Sequence, residues 1–159
     1  MINNNDVKKL REETGHGIMD CKKALSDAGG DYNKAKEILS AQIERMAQKK
    51  SERETKAGLI ETYTHDGKVG VILEVQCESD FVARNEEFKK LTHNLAMQIA
   101  AMKPRDIDDL LGQEWVIDDG TQKVNPVDGL LIKDLINTKI KQFGENIKII
   151  RFERYELGE

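Results

Sequence analysis

Residues 58–79, GLIETYTHDGKVGVILEVQCES, decide how this chain folds, because here the apolar period changes from the 3.6 of a helix to the 2 of a strand. Asp66-Gly67 tolerates positive φ and suits a two-residue hairpin turn, and the runs on either side are rich in β-branched residues. In the second run Val69, Val71, Leu73, Val75 and Cys77 share one face. Gly70, Glu74, Gln76 and Glu78 share the other, with Ile72 as the exception. The stretch therefore predicts an antiparallel hairpin with Cys77 on its core side.

Upstream of the hairpin, AQKKSERETKA (47–57) carries charge without an apolar face and predicts a frayed helix end running into a linker, residues 51–57. Residues 1–50 predict three short helices. In NNNDVKKLREETG, Val7 and Leu10 share a face, Asn4 or Asn5 serves as the cap, and Thr14-Gly15 stops the helix. In GIMDCKKALSDAGG, Ile18, Cys21, Ala24 and Leu25 recur at helical spacing until Gly29-Gly30. Asp31 then caps a longer helix with the stripe Tyr32, Ala35, Ile38, Leu39, Ile43 and Met46. Three amphipathic helices with so few large residues make a bundle whose core is marginal.

Downstream, Phe88, Leu91, Leu95, Ile99 and Met102 trace a helix that Pro104 closes, and RDIDDLLG adds a further turn. Residues 113–125 read only as a loop or short hairpin around Asp119-Gly120. VDGLLIKDLINTKIKQFG predicts a second helix through Leu131, Leu135, Ile136, Ile140 and Phe143, ending at Gly144. The tail ENIKIIRFERYELGE predicts a last strand whose apolar positions switch parity near Ile149-Ile150, the mark of a bulge or of burial on both sides. The expected class is α+β: a three-helix bundle over 1–50, then over 58–159 a three-stranded antiparallel sheet packed with helices, its last strand pairing with the hairpin.

The chain has 159 residues, 29 acidic and 25 basic, for a formal charge of −4. No basic run exceeds two residues, so direct nucleic-acid binding is not expected. No window has the length and apolarity of a membrane span, and the N-terminus MINNNDVKKL has no signal core, so a cytoplasmic protein is expected. His16, His65 and His93 share no metal-ligand spacing with each other or with a cysteine, and phosphate-cradling and nucleophile-elbow motifs are missing. Cys21 has Lys22 and Lys23 alongside, which lower a thiol pKa, but cysteine is among the most often buried residues and no histidine is in register. Neither a catalytic set, a metal site nor a cofactor is expected, and the reading turns to binding.

CESDFVARNEEF (77–88) leaves one question open. If a helix begins at Asp80, Phe81 lies seven residues before Phe88 and extends the core stripe. If it begins at Asn85, with Glu86 and Glu87 in the first turn, residues 79–84 form a loop and Phe81 can project.

VKKLREETGHGIMDCKKAL (7–25), CESDFVARN (77–85) and GENIKIIRFERYELGE (144–159) resemble the elongation factor Ts family at its start, middle and end, in order. The resemblance implies an N-terminal module similar to the three-helix ubiquitin-associated domain, followed by a core domain. It implies a guanine-nucleotide exchange factor, not an enzyme, that binds elongation factor Tu in its GDP form and promotes loss of Mg²⁺ and GDP. The family's motif beside the partner's Mg²⁺ site carries over to Ser79, Asp80, Phe81 and Val82. The N-terminal contact carries over to Val7, Leu10, Ile18 and Met19, with Lys8 as a rim charge. Leu10 and Ile18 fit the small core equally well, whereas Met19 is one step off the Ile18, Cys21, Leu25 stripe. Ser79 stands where threonine is common and His16 where a small residue is, which places a titratable group near the contact. Long family members carry two core subdomains and this chain has room for one. Short members work as homodimers, so a dimer through the sheet or its last strand is expected. Two other classes stay open: a ubiquitin-associated-type adaptor without exchange activity, and an enzyme using Cys21 or an acidic pair.

Overall fold

The computed structural model describes residues 3–117 and 129–159, and the chain divides into two compact units, Met1–Gln48 and Lys49–Glu159. The first unit holds α1 (Asn4–Thr14), α2 (Ile18–Asp27) and most of α3 (Tyr32–Lys50). α1 is capped by Asn3, not by Asn4 or Asn5, the Asn3 side chain accepting the Asn5 N–H at 3.0 Å. Three successive asparagines are chemically equivalent caps, and the earliest prevails because each further helical residue adds a backbone bond. Gly15 ends α1 at φ 67, as a left-handed cap whose N–H bonds the Arg11 carbonyl. The core is Val7, Leu10, Cys21, Ala24, Leu25, Ala35 and Leu39. Met46, expected in the stripe of α3, is exposed. Its neighbour Ala47 is buried instead.

The second unit is built on an antiparallel sheet in the order β1 (Ala57–His65), β2 (Val69–Cys77), β3 (Ile147–Glu156). Asp66 and Gly67 both take positive φ, 50° and 64°, as the hairpin reading requires. The loop nevertheless has three residues, because the ladder pairs His65 with Val69 and leaves Lys68 out. The Lys68 carbonyl turns instead to the Leu157 N–H at 2.8 Å, just beyond the end of β3. The parity switch in the tail is a bulge. Glu74 faces Arg151 and Val75 faces Ile149, so Ile150 is the extra residue.

Helices α4 (Asp80–Ala83), α5 (Glu86–Met102), α6 (Ile107–Gly112) and α7 (Ile132–Phe143) complete the unit. α5 packs on β1 and β2, while α6 and α7 meet β3. Val71, Leu73, Val75 and Cys77 face Phe88, Leu91, Leu95 and Ile99 in the buried layer, and the Phe88 and Phe143 rings meet edge to face at 6.1 Å. Met102, expected in the α5 stripe, is exposed because it is the last helical residue and the chain turns away at Lys103, φ 48. Leu131 is the N-cap of α7, not part of it, and pairs with Glu114 in an isolated bridge. The turn expected around Asp119-Gly120 lies outside the described residues. The architecture is α+β, helices first and a three-stranded antiparallel sheet after them. Among the described residues no helix is long and apolar enough to cross a membrane.

Candidate functional site

Ser79 leaves β2 in extended conformation, and its Oγ accepts the Val82 N–H at 3.4 Å, capping the single turn α4. Asn85 then caps α5 separately, its Oδ1 accepting the Glu87 N–H at 2.8 Å, with Glu86 and Glu87 in the first turn. Both starts proposed by the sequence occur, as two helices with a break between them. Residues 79–84 are therefore a capped turn and not a loop. The break resets the helical phase, so Phe81 does not extend the Phe88 stripe. Val82 and Ala83 turn inward instead, and Phe81 is 85% exposed. Within the motif Val82 is thus an anchor: at 6% exposure it cannot touch a partner without rearrangement. Asp80 projects beside Phe81, in a loose 3.9 Å pair with Arg84.

A clasp of polar groups holds this turn. Glu145, just after α7, accepts the Glu78 N–H at 3.1 Å and the Ser79 N–H at 3.0 Å through one carboxylate oxygen, and the Ser79 hydroxyl at 2.5 Å through the other. In return the Glu78 carboxylate accepts the Asn146 N–H at 2.7 Å. Asn146 Nδ2 donates to the carbonyls of Ser51 and Arg53, so part of the segment expected as a linker is tied to the core unit. The sequence reading missed Glu145 and Asn146. Their partners lie 66 to 95 positions away, and no local spacing marks them.

On the N-terminal unit, Met19 is 74% and Ile18 54% exposed in the first turn of α2, and Lys8 is exposed on α1. Val7 and Leu10, expected among the contact residues, are interior and belong to the bundle core. His16, expected near the contact, is also buried, its Nδ1 3.2 Å from the Thr14 carbonyl oxygen. Among the described residues, no group of three or more His, Cys, Asp or Glu could hold a metal. Cys21 and Cys77 are both buried. Burial, and then the neighbouring Glu145 charge, push the Cys77 thiol up to about 11, which keeps it protonated and unreactive near neutrality. An open hollow on the bundle, lined by Asp27, Ala28, Gly29, Lys34, Glu37, Ile38 and Ala41, contains neither cysteine nor histidine. Among the described residues the motif positions thus place exposed apolar side chains at Phe81 and at Ile18 and Met19, and no group of His, Cys, Asp or Glu fit to hold a metal stands beside them.

The family model described as Elongation factor TS matches residues 4–109 and 78–159. The elongation factor Ts of Thermotoga petrophila is 45% identical, over 96% of this chain and 94% of its own length. That of Thermodesulfovibrio yellowstonii is 43% identical over the same shares. A chloroplastic polyprotein of EF-Ts from Oryza sativa subsp. japonica is 40% identical over 96% of this chain, but over only 17% of itself.

Proposed function

The chain belongs to the elongation factor Ts family of translation elongation factors, and from that premise we propose that it is the guanine-nucleotide exchange factor of elongation factor Tu. It acts in the cytoplasm, binding the GDP form and promoting release of Mg²⁺ and GDP so that GTP can enter. The observation that carries this reading is a phenylalanine 85% exposed on a capped, clasped turn. A single exposed apolar side chain is ordinary by itself; what supports the contact reading is that this one stands on a capped turn whose neighbours Val82 and Ala83 are buried, at the position the family resemblance assigns to the partner contact.

An exchange factor must bind the nucleotide-free partner better than the nucleotide-bound one, since only differential affinity shifts an equilibrium, and linkage makes the weakening reciprocal. Phe81 supplies that difference by wedging between partner helices beside the Mg²⁺ site, a burial worth about 1.5 to 3 kcal/mol that is gained only in the opened state. Asp80, exposed beside it, adds hydrogen bonds or repulsion near the phosphates. Ser79 caps the turn and Val82 roots it. With Mg²⁺ displaced, the phosphate charge is unbalanced and GDP leaves.

Residues 1–50 are a ubiquitin-associated-like module that provides the second contact through Met19 and Ile18, with Lys8 at the rim, while Val7 and Leu10 hold that surface from inside. Residues 58–159 form the core and dimerisation domain, joined to the module by residues 51–57. Among the described residues of the second unit, the sheet carries its helices on one face, and Ile60, Ile72 and Tyr155 are exposed on the other. A second copy covers this face. The Glu74–Arg151 pair there, at 2.8 Å, gives each protomer both signs of charge for a two-fold contact. Neither nucleic acid nor a membrane takes part.

Stopped-flow release of fluorescent GDP from elongation factor Tu tests the function. Acceleration that rises with added protein and saturates is expected. Binding without acceleration would instead favour an adaptor. A monomer by light scattering at micromolar concentration would remove the dimer.

A further inference from the structure

We propose that Glu145 is a positioning residue for nucleotide exchange, acting through the turn that carries Phe81; the inference rests on the exchange reading above. α4 has four residues, too few to hold a helical turn by itself, since nucleation is costly and each bond within it is single. Its few backbone bonds, from the Ala83 N–H to the Ser79 carbonyl and from the Arg84 N–H to the Asp80 carbonyl, are supplemented from elsewhere in the chain. One Glu145 oxygen takes the N–H groups of Glu78 and Ser79, and the other takes the Ser79 hydroxyl hydrogen. That last bond has a directional consequence. With its hydrogen committed to Glu145, the Ser79 oxygen presents its lone pairs to the Val82 N–H, which is the cap of α4. The carboxylate therefore decides which way the Ser79 hydroxyl points, the hydroxyl caps the turn, and the cap fixes the phase that puts Val82 inside and Phe81 outside.

The surroundings make this arrangement specific. The clasp is half-buried, where charge-assisted bonds are stronger than in water and an unmade one is costly. It is also two-way, because Glu78 accepts from Asn146 while Glu145 accepts from Glu78 and Ser79, so 78–79 and 145–146 are registered against each other at the ends of β2 and β3. Asn146 anchors the opposite side on the Ser51 and Arg53 carbonyls, and Arg53 stands 3.6 Å from Glu78. A glutamine at 145 keeps the shape and one acceptor oxygen, but its amide nitrogen faces a donor and the charge is lost. The backbone clasp then persists in part while the hydroxyl loses its fixed direction.

Two measurements on the full chain test this. In the free protein, amide hydrogen exchange at Ser79 and Val82 is expected to quicken about tenfold in Glu145→Gln, as a charge-assisted bond is replaced by a neutral one, with the melting transition by circular dichroism retained. In stopped-flow GDP release, Glu145→Gln should lower the saturating rate about tenfold with little change in the half-saturating concentration, the pattern of a lost opened-state interaction. In a Phe81→Ala background the same substitution should have almost no further effect, because the ring it positions is gone. Unchanged amide exchange, or equal slowing in both backgrounds, would overturn the role of Glu145 while leaving the exchange reading in place. Wild-type release by Phe81→Ala alone would overturn the Phe81 wedge, and this role with it, whereas the exchange reading falls only if the unaltered protein binds without accelerating release. Should Glu145→Gln fail to fold, Ser79→Ala, which removes the same cap from the other side, is expected to reproduce both the amide and the rate effects; wild-type behaviour there would refute the chain of bonds.

Discussion

Replacing Phe81 with alanine isolates the wedge. The side chain is 85% exposed in the free protein, so its removal takes almost nothing from the fold, and the stability change should stay within about 0.5 kcal/mol. On the proposed mechanism the ring is buried in the opened complex. Full burial of a phenylalanine is worth about 1.5 to 3 kcal/mol, and the exposed fraction leaves roughly 1.3 to 2.5 kcal/mol to be gained. At 1.36 kcal/mol per factor of ten, the saturating rate of GDP release should fall about 10- to 70-fold. Because this energy is realised only when the partner has opened, the loss belongs in the saturating rate and not in the concentration at half-saturation. The assay is stopped-flow fluorescence with labelled GDP on elongation factor Tu, titrated with wild-type and variant protein, alongside a denaturant melt. A variant that releases GDP at the wild-type rate would refute the wedge. So would one whose whole deficit is cured by raising its concentration, since that would make Phe81 an ordinary binding contact.

Met19→Ala should weaken association with elongation factor Tu about fivefold, from roughly 1 kcal/mol of lost apolar burial, with helicity by circular dichroism unchanged; undiminished affinity in a titration would remove Met19 from the interface. Gly58 sits at φ 151, where a Cβ would lie 2.7 Å from Gln76 Cα and nearer still to the Val75 carbonyl oxygen. Gly58→Ala should therefore cost about 1 to 3 kcal/mol in a denaturant melt, and an unchanged midpoint would contradict the close strand approach. Hydrogen bonds from Lys103 and Arg154 hold the Glu156 carboxyl below its ordinary value of 4.5. The unfolded chain binds that proton first as pH falls, so the stabilisation is present above about 4.5 and is lost as pH drops through the lower folded value. The melting-temperature gap between wild type and Glu156→Gln should accordingly narrow below pH 4.5, and a constant gap would show that the carboxylate contributes nothing through its charge.

Periodicity and turn chemistry carried most of the fold. The change of apolar period after residue 57 located the sheet, Asp66-Gly67 located its turn, and the parity switch at Ile149-Ile150 located the bulge, because each records the backbone geometry of its own few residues. The same local signals could not say which apolar side chains face out. Val7 and Leu10 went inside while Ile18 stayed at the surface, and Val82 went in while Phe81 came out. In a one-turn helix neighbouring residues differ by about 100° of phase, so the answer depends on where the turn is pinned. Glu145, 66 positions from Ser79 in the chain, pins it. A carboxylate after a helix-ending glycine has no spacing that announces such a partner. The kinds of residue at the candidate site were written in the sequence, whereas their presentation was decided by hydrogen bonds that exist only once the ends of β2 and β3 have met.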